Sequence, residues 1–262
     1  MFHYSKAILR VGVPLLWQYF TRMKRWAKHL DRYPSEVRFV KIRKIIKSIN
    51  DALQVDLTIF GLENLPKDPT YCMVCNHMSA FDPIPFIINS ERHLTFVGKK
   101  ELLKAPFIPV AMQVIEGEFI DRDDLRQSLK VMLKVEEDLK KGKKSWMIFP
   151  EGTRIRDQML PVGDFHHGTF RPATKARVPI VPAAIYGSFR VLKKSPQFKK
   201  YPVSISILKP ISPEEYVGKT TAEVASFVHE QIQREITYHL RPLDHKIMSE
   251  NKDKKYRFNQ IL

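Results

Sequence analysis

The chain has 262 residues and a formal charge of +16, because 44 Lys and Arg side chains outnumber 28 Asp and Glu. Its composition, 44% hydrophobic and 11% aromatic, is typical of a globular protein and excludes intrinsically disordered, collagen-like and disulfide-scaffold chains. Residues 1–50 contain twelve basic and two acidic side chains, so this segment alone carries +10 and favours nucleic acid, an anionic membrane or phosphorylated substrates as partners.

Two basic amphipathic helices are predicted in residues 1–54. Apolar side chains recur every three or four positions from residue 6 to about residue 30, and again from about 35 to 53. The longest uncharged apolar run, 11–17, has seven residues, whereas a transmembrane helix needs about 20. The basic and aromatic residues around both apolar faces favour a hairpin that lies in the headgroup layer of a membrane. The alternative is that both helices pack on the main domain and expose a solvated basic face.

From residue 55 onward, short apolar runs alternate with helical patterns, which predicts an α/β domain over residues 55–240. The predicted strands are 55–60, 71–75, 94–97, 118–120, 145–149, 180–185 and 203–208. The predicted helices are 83–89, 124–140 and 222–240. The inward side chains of the second of these helices are expected to be Leu125, Leu129, Met132, Leu133 and Leu139. Residues 241–262 are charged and aperiodic, and we expect this tail to fray or to dock loosely.

The cysteines Cys72 and Cys75 form a C-x-x-C spacing, but they lie in a predicted strand. Residues three apart on a strand point to opposite faces and lie about 10 Å apart. This separation exceeds the reach of a disulfide, about 7 Å between α-carbons. We therefore expect two buried, reduced cysteines in a reducing compartment.

His77 and Asp82 follow the predicted strand at 71–75 and precede a helix that begins at Pro83. If the loop folds them together, the carboxylate fixes the imidazole tautomer and leaves the other ring nitrogen free to take a proton. For this spacing alone, a loop histidine beside a helix-capping aspartate is the more common arrangement.

Three further segments carry chemistry or an unusual pattern. Residues 149–154 combine a tight glycine turn with Arg154, whose planar fork suits phosphate oxygens. Residues 117–122 form a short strand that ends near Arg122. Residues 178–185 are apolar but contain two prolines, which predicts an edge or bulged strand.

Together these four segments resemble the glycerolipid acyltransferase family, and most closely its bacterial 1-acylglycerol-3-phosphate acyltransferases. His77 and Asp82 match the family's H-x4-D motif, and the later segments match its G-x-F-I-x-R, F-P-E-G-T-R and proline-containing apolar motifs. The resemblance covers about residues 55–210. It implies a mixed, largely parallel sheet flanked by helices. The membrane-binding hairpin of residues 1–54 lies outside the resemblance and is expected from its charge, periodicity and aromatic residues.

The resemblance also implies the roles of individual residues. His77, oriented by Asp82, removes a proton from the hydroxyl of lysophosphatidic acid as that oxygen attacks an acyl thioester, without an acyl-enzyme. The residues implied to bind the substrate phosphate are Arg122, Arg154, Lys99 and Lys100. Those implied to position the substrate are Glu151, Gly152 and Thr153. Those implied to line an acyl or donor channel are Val178, Pro179, Ile180 and Pro182.

The resemblance implies acyl-CoA or acyl-carrier protein as co-substrate, with no cofactor and no metal. The expected partner is an anionic membrane surface at the cytoplasmic face of the cell membrane, and nucleic acid is not expected. Two alternatives stay open. One is an acyltransferase that acts on another lysophospholipid or on glycerol phosphate, and the other is a noncatalytic basic protein that binds membranes or nucleic acid.

Overall fold

The computed structural model describes residues 12–67, 70–155, 162–192 and 200–250. Its strands form one seven-stranded sheet in the order β1-β7-β6-β2-β5-β3-β4. The strands are β1 Val55–Phe60, β2 Cys72–Cys75, β3 Leu94–Lys99, β4 Glu118–Ile120, β5 Ser145–Ile148, β6 Ile180–Tyr186 and β7 Tyr201–Ile207. Neighbours pair in parallel except β6 with β7. The predicted mixed, largely parallel sheet is confirmed, and all seven predicted strands are present.

Helices cover both faces of this sheet. Their bounds are α1 Val13–Gln18, α2 Lys24–Lys28, α3 Ser35–Ala52, α4 Pro83–Asn89, α5 Ile108–Val114, α6 Leu125–Lys140, α7 Arg171–Ala176, α8 Pro213–Tyr216, α9 Thr221–Glu235 and α10 Arg241–Glu250. The side chains of β2 alternate between two cores, so Cys75 belongs to the first core cluster and Cys72 to the second. Both thiols are buried and free, as expected. Burial raises the pKa of Cys72 to about 12.

The strand β6 corrects one prediction. It lies between β2 and β7, and every residue in it is buried, so the expected edge position is wrong. In a β-strand, the backbone nitrogen and carbonyl of one residue point to the same side, which for Pro182 is the side of β7. Its carbonyl accepts from the Leu208 amide at 2.9 Å, just beyond the pairing of β6 with Ile207 in β7. The N–H that proline lacks would also point toward Leu208. Because Leu208 lies beyond the paired residues, no hydrogen bond of the β6–β7 ladder is lost.

The second N-terminal helix, α3, is an integral part of the α/β core. It was predicted at 35–53, and its Phe39 and Ile42 are buried in the first core cluster. Its buried Arg38 donates to the Tyr33 carbonyl at 2.8 Å and forms an ion pair with Glu116. The side of α3 that carries Phe39 and Ile42 is thus buried in the domain, as the packing alternative expected, whereas Val37 and Val40 stay exposed.

The first N-terminal segment exposes apolar side chains. Residues 1–11 of the predicted first helix lie outside the described residues, and the rest is a continuous helical run through α1, a π-helical turn Tyr19–Met23 and α2. Trp17 and Phe20 are 58% and 60% exposed. Among the residues that the structure describes, no helix has the length and apolar character needed to cross a membrane.

Helix α6 presents a different face to the core than the one predicted. Leu125, Leu129 and Leu133 are exposed, whereas Val131 and Val135 are buried. Two apolar stripes run along this helix, and helical periodicity alone cannot say which of them faces the sheet. The prediction that these leucines point inward is wrong, although that for Leu139 is confirmed.

The C-terminal helical region extends further than predicted. After α9, a π-helical turn Ile236–Leu240 leads directly into α10. Asp244 of α10 is buried and forms a bidentate ion pair with Arg190. The expectation of a frayed tail is therefore wrong for residues 241–250, and residues 251–262 lie outside the described residues.

Candidate active site

Four neighbouring parallel strands, β2, β5, β3 and β4, end at the same edge of the sheet. The last residue of β3, Lys99, and the loops after β2, β5 and β4, with His77, Glu151 and Arg122, lie at this edge. Ligands of α/β sheets bind at this edge. The topology thus gathers the predicted site residues that are far apart in the sequence.

His77 and Asp82 form the predicted pair. The Nδ1 atom of His77 lies 2.8 Å from Oδ2 of Asp82. The same oxygen accepts the backbone amides of Met78 at 2.7 Å and Ser79 at 2.8 Å. The carboxylate is fully buried, while the histidine side chain is 18% exposed. Because Nδ1 is engaged, Nε2 is the ring nitrogen free to accept a proton from a ligand.

Two neighbouring residues hold the His77 loop in place. The ring of Phe149 stacks on the imidazole with centroids 4.2 Å apart. The amide of Ile155 donates to the His77 carbonyl at 2.8 Å. The segment 149–155 is therefore attached to the histidine loop at both of its ends.

Asn76 is a site residue that the sequence reasoning missed. Its buried side chain donates to the Ile185 carbonyl at 3.0 Å and accepts the Ile185 amide at 2.8 Å. These two bonds continue the pairing of β2 with β6 beyond the last residue of β2, and they fix the residue directly before His77. The only signal in the sequence was an amide side chain at the end of an apolar strand.

Arg122 and Gly152 are in direct contact. A Cβ atom added at Gly152 would lie 2.9 Å from the guanidinium carbon of Arg122, and the φ of Gly152 is +68°. The left-handed backbone favours glycine at this position, and a larger residue would also displace the guanidinium. The F-P-E-G-T-R turn thus provides the surface on which Arg122 lies flat.

The two adjacent lysines have different surroundings. Burial, followed by the charges of Arg122 and Arg154, lowers the pKa of Lys99. Lys100 instead forms ion pairs with Asp121 at 2.6 Å and Asp123 at 3.0 Å, and these bonds raise its pKa. The structure therefore places Lys99 with the arginines. Lys100, also predicted to bind phosphate, instead pairs with the two acids that flank Arg122 and holds that loop in place.

The candidate phosphate site is positively charged. Neither Arg122, Lys99 nor Arg154 makes an ion pair with a described residue, although the charge of Glu101 acts on both Arg122 and Lys99. Three neighbouring cations without a bound carboxylate suit an anion with several oxygens, and guanidinium groups bind phosphate by paired hydrogen bonds. Arg154 and Thr153 are exposed on the loop after Gly152.

The four residues of the proposed channel lie around β6. Val178 and Ile180 are buried in the second core cluster. Pro179 accepts the Cys72 amide at 3.0 Å through its carbonyl, and Pro182 lies within β6 between β2 and β7. These contacts are those of a packed strand, and the channel role stays a prediction.

Glu151 is buried beneath the His77 loop rather than exposed to a ligand. Burial raises its pKa to about 8, although the backbone amides of His77 and Gly163 act in the opposite direction. The carboxyl group is therefore protonated at neutral pH. Glu151 thus lies buried next to the backbone that carries His77, and its role in positioning the substrate stays a prediction.

The protonated state of Glu151 predicts a pH-dependent effect of Glu151→Gln on stability. Between pH 4.5 and about 8 the unfolded chain loses this proton and the folded chain keeps it, so the wild type loses stability as the pH rises. Glutamine removes this loss. We expect the free energy of unfolding of the variant, relative to wild type, to increase from pH 5 to pH 8 in urea titrations. The exposed control Glu63→Gln should show no such change with pH. If the difference in free energy of unfolding between Glu151→Gln and wild type were also independent of pH, Glu151 would not be protonated in the folded chain.

Comparisons with known proteins agree with this architecture. A family model described as Acyltransferase matches residues 56–186. The chain is 31% identical over 206 residues to the 1-acyl-sn-glycerol-3-phosphate acyltransferase of Saccharomyces cerevisiae, covering 78% of this chain and 66% of that protein, just under two thirds. It is 28% identical over 240 residues to the probable 1-acyl-sn-glycerol-3-phosphate acyltransferase of Mycoplasma pneumoniae, covering 87% and 88%. The crystal structure of the 1-acyl-sn-glycerophosphate (LPA) acyltransferase PlsC from Thermotoga maritima is similar, with a TM-score of 0.66, 26% identity and coverage of 90% and 92%.

Proposed function

The chain belongs to the acyltransferase family, and from this premise we propose that it transfers a fatty acyl group to the sn-2 hydroxyl of 1-acyl-glycerol-3-phosphate, giving phosphatidic acid. The donor is acyl-CoA or acyl-carrier protein. The observation that carries the proposal is the joint position of a base, His77, and unpaired cations at one sheet edge. Several relatives are named for this reaction, which supports the choice of acceptor.

In the proposed mechanism, Nε2 of His77 takes the proton of the acceptor hydroxyl while its oxygen attacks the thioester carbonyl. The tetrahedral intermediate collapses, the C–S bond breaks, and the proton passes from the imidazolium to the departing thiolate. The Asp82 carboxylate stabilises the imidazolium. No acyl-enzyme forms and no cofactor takes part. The amides of Met78 and Ser79 are bound to Asp82, so they are not available to the oxyanion.

The acceptor phosphate is proposed to bind Arg122 and Lys99, with Arg154 at the rim. The guanidinium of Arg122 rests against Gly152, and this contact favours one orientation of the fork. An oriented fork loses less conformational entropy when it binds phosphate than a free side chain does. The phosphate then places the sn-2 hydroxyl at His77.

The test of this function measures thiol release from palmitoyl-CoA and from a palmitoylated carrier protein. Release is expected only with lysophosphatidic acid, and phosphatidic acid should appear in equal amount. A panel with lysophosphatidylcholine and glycerol 3-phosphate separates this acceptor from the alternatives. Equal rates without any acceptor, or with the phosphodiester acceptor, would contradict the proposal.

We propose that the first N-terminal segment binds the anionic cytoplasmic face of the cell membrane as a peripheral contact, and that nucleic acid is not a partner. Exposed rings alternate there with cations: Arg22 lies 5.4 Å from the Trp17 ring and Lys24 4.6 Å from the Phe20 ring. Aromatic rings favour the membrane interface, and each basic side chain near an anionic surface contributes about 1 kcal/mol.

This surface predicts a loss of membrane binding in the double variant Trp17→Ser, Phe20→Ser. Burial of one large apolar side chain stabilises by about 1.5–3 kcal/mol, so binding to vesicles that contain phosphatidylglycerol should weaken at least about tenfold. Flotation measures the effect. The control exchanges the exposed Val217 and Tyr238, which lie outside this segment, for serine. The membrane proposal would be contradicted if both variants floated equally with the vesicles. It would also be contradicted if the protein bound duplex DNA and added vesicles did not reduce this binding.

A further inference from the structure

Residues 100–108 connect β3 to the first turn of α5 and are here named the β3–α5 segment. Three of its apolar side chains are exposed: Leu102 36%, Leu103 54% and Ile108 39%. Single exposed leucines are ordinary on protein surfaces, but adjoining apolar side chains form a patch that marks an interaction surface. Because the segment begins directly after Lys99, this patch borders the candidate phosphate site.

The β3–α5 segment is in contact with the first N-terminal segment. The ring of Phe107 meets the ring of Tyr19 edge-on, with centroids 4.8 Å apart. Tyr19 in turn meets Phe20, with centroids 5.2 Å apart. This row of three rings joins the exposed Trp17 and Phe20 to the exposed side chains of the β3–α5 segment.

Both apolar areas lie on one face of the sheet. Met23 of the N-terminal segment and Met112 of α5 are buried in the first core cluster. A Cβ atom added at Gly98 would lie 3.4 Å from both Leu102 and Met112, so the β3–α5 segment folds over the end of β3 on this face. One partner surface is therefore able to contact the exposed rings and this segment together.

Positive charge accompanies the patch. Lys104 is exposed and makes no ion pair with a described residue. The one acid of the β3–α5 segment is Glu101, whose charge acts on the cations of the phosphate site. The acids of the next loop, Asp121 and Asp123, are paired with Lys100. Apolar side chains beside cations are typical of a surface that meets anionic lipid headgroups.

The position beside the phosphate site favours a lipid surface over a protein partner. A protein bound along the β3–α5 segment would lie across the approach of a phosphorylated acceptor to Lys99 and Arg122. A lipid surface is itself the place where an acceptor with an acyl chain resides, because transfer of the chain to water is unfavourable. We propose that the β3–α5 segment is a second membrane contact, which with the first N-terminal segment holds the phosphate site at the level of the headgroups. This inference rests on the proposed function.

The test exchanges two exposed side chains of the segment in the variant Leu103→Ser, Ile108→Ser. Its matched control, Leu129→Ser, Leu133→Ser, removes leucines of similar exposure, 52% and 45%, from α6, whose buried side chains pack in the second core cluster. Binding of the test variant to vesicles that contain phosphatidylglycerol should weaken at least about tenfold, because two apolar side chains no longer leave water. The control should float like the wild type, and thermal unfolding checks the fold of both.

Kinetics with two acceptors separate a membrane contact from damage to the phosphate site. Palmitoyl-CoA is the donor, and the acceptor is either long-chain lysophosphatidic acid in the same vesicles or hexanoyl lysophosphatidic acid dissolved without vesicles. The acceptor KM of the test variant should rise at least about tenfold with vesicles and stay within about twofold with the dissolved acceptor, since only the first depends on membrane binding.

A fluorescent probe tests the contact without relying on activity. Cys72 and Cys75 are buried, so a thiol introduced by Leu103→Cys is labelled selectively with an environment-sensitive dye. The emission of this dye should shift to shorter wavelength when vesicles are added, and lipids with a nitroxide near the headgroup should quench it. The same dye at Leu129→Cys should respond to neither.

Three other outcomes overturn the inference. Wild-type flotation of the test variant, or an equal loss in the control, removes the second contact and leaves the proposed function intact. A raised KM with the dissolved acceptor indicates a structural role of the segment. A dimer in sedimentation that the test variant converts to monomer indicates a second copy as the partner. Thiol release that does not require lysophosphatidic acid overturns the proposed function instead, and the flotation and dye results then decide the membrane contact on their own.

Discussion

His77→Ala is expected to reduce kcat/KM for acyl transfer to lysophosphatidic acid about 10²–10⁴-fold, the usual contribution of a general base. The imidazole is held by Asp82 at 2.8 Å and by the stacked ring of Phe149. It is therefore oriented before substrate binds, and its loss leaves the acceptor hydroxyl without a proton acceptor. Because the effect is on proton removal, we expect it in kcat rather than in KM.

The control for this variant is His166→Ala, which removes an exposed histidine from the loop before α7. It should retain wild-type kinetics. Thermal unfolding of both variants checks the fold, since the side chain of His77 is partly exposed and fills little core volume. An active, folded His77→Ala protein would disprove the assignment of the base.

Asp82→Asn tests the orienting role separately. The amide can keep one contact with the loop, but it cannot stabilise an imidazolium, so kcat should fall while the acceptor KM stays close to that of wild type. Since Asp82 also accepts from Met78 and Ser79, this variant should in addition unfold at a lower temperature. His77→Ala lacks that second effect, which distinguishes the two roles.

Much of the site could be predicted because its residues follow strands. The runs at 71–75 and 145–149 were apolar enough to identify as buried strands, and polar residues directly after such runs collect at one edge of a parallel sheet. The pairing of His77 with Asp82 needed more than the spacing, since a five-residue interval fits an ordinary capped loop equally well. The resemblance to a family supplied that step.

The remaining features depend on contacts between distant residues. Arg190 and Asp244 are 54 positions apart, and no local pattern marks them as partners. Lys99 and Lys100 are adjacent and of the same type, so the sequence cannot distinguish their roles. The position of Asp121 in the fold decides that Lys100, rather than Lys99, forms an ion pair with it. The outward leucines of α6 show the same limit, because two apolar stripes on one helix leave its rotation undetermined until the sheet is in place.

Arg122→Met should raise the KM for lysophosphatidic acid about 30-fold or more, with a smaller effect on kcat. Removing one partner of a desolvated, hydrogen-bonded charge pair costs about 2–5 kcal/mol. Methionine keeps much of the apolar stem, so the loss isolates the guanidinium. Arg122→Lys should recover only part of the affinity, because an ammonium group lacks the fork that binds two phosphate oxygens.

Gly152→Ala tests the same contact from the other side. The added methyl would lie 2.9 Å from the guanidinium carbon, and the left-handed backbone adds strain, so Arg122 must move away. The variant should show a raised acceptor KM like that of Arg122→Met, and in the double variant the two effects should combine to less than their sum. Gly142→Ala, at a turn with a similar φ of +61° but with no atom within 4 Å of the new Cβ, is the matched control. It carries the backbone strain without the collision, and its KM should equal that of wild type. A KM increase of the same size in Gly142→Ala, or full additivity in the double variant, would show that Arg122 does not hold the phosphate through its place on the Gly152 turn.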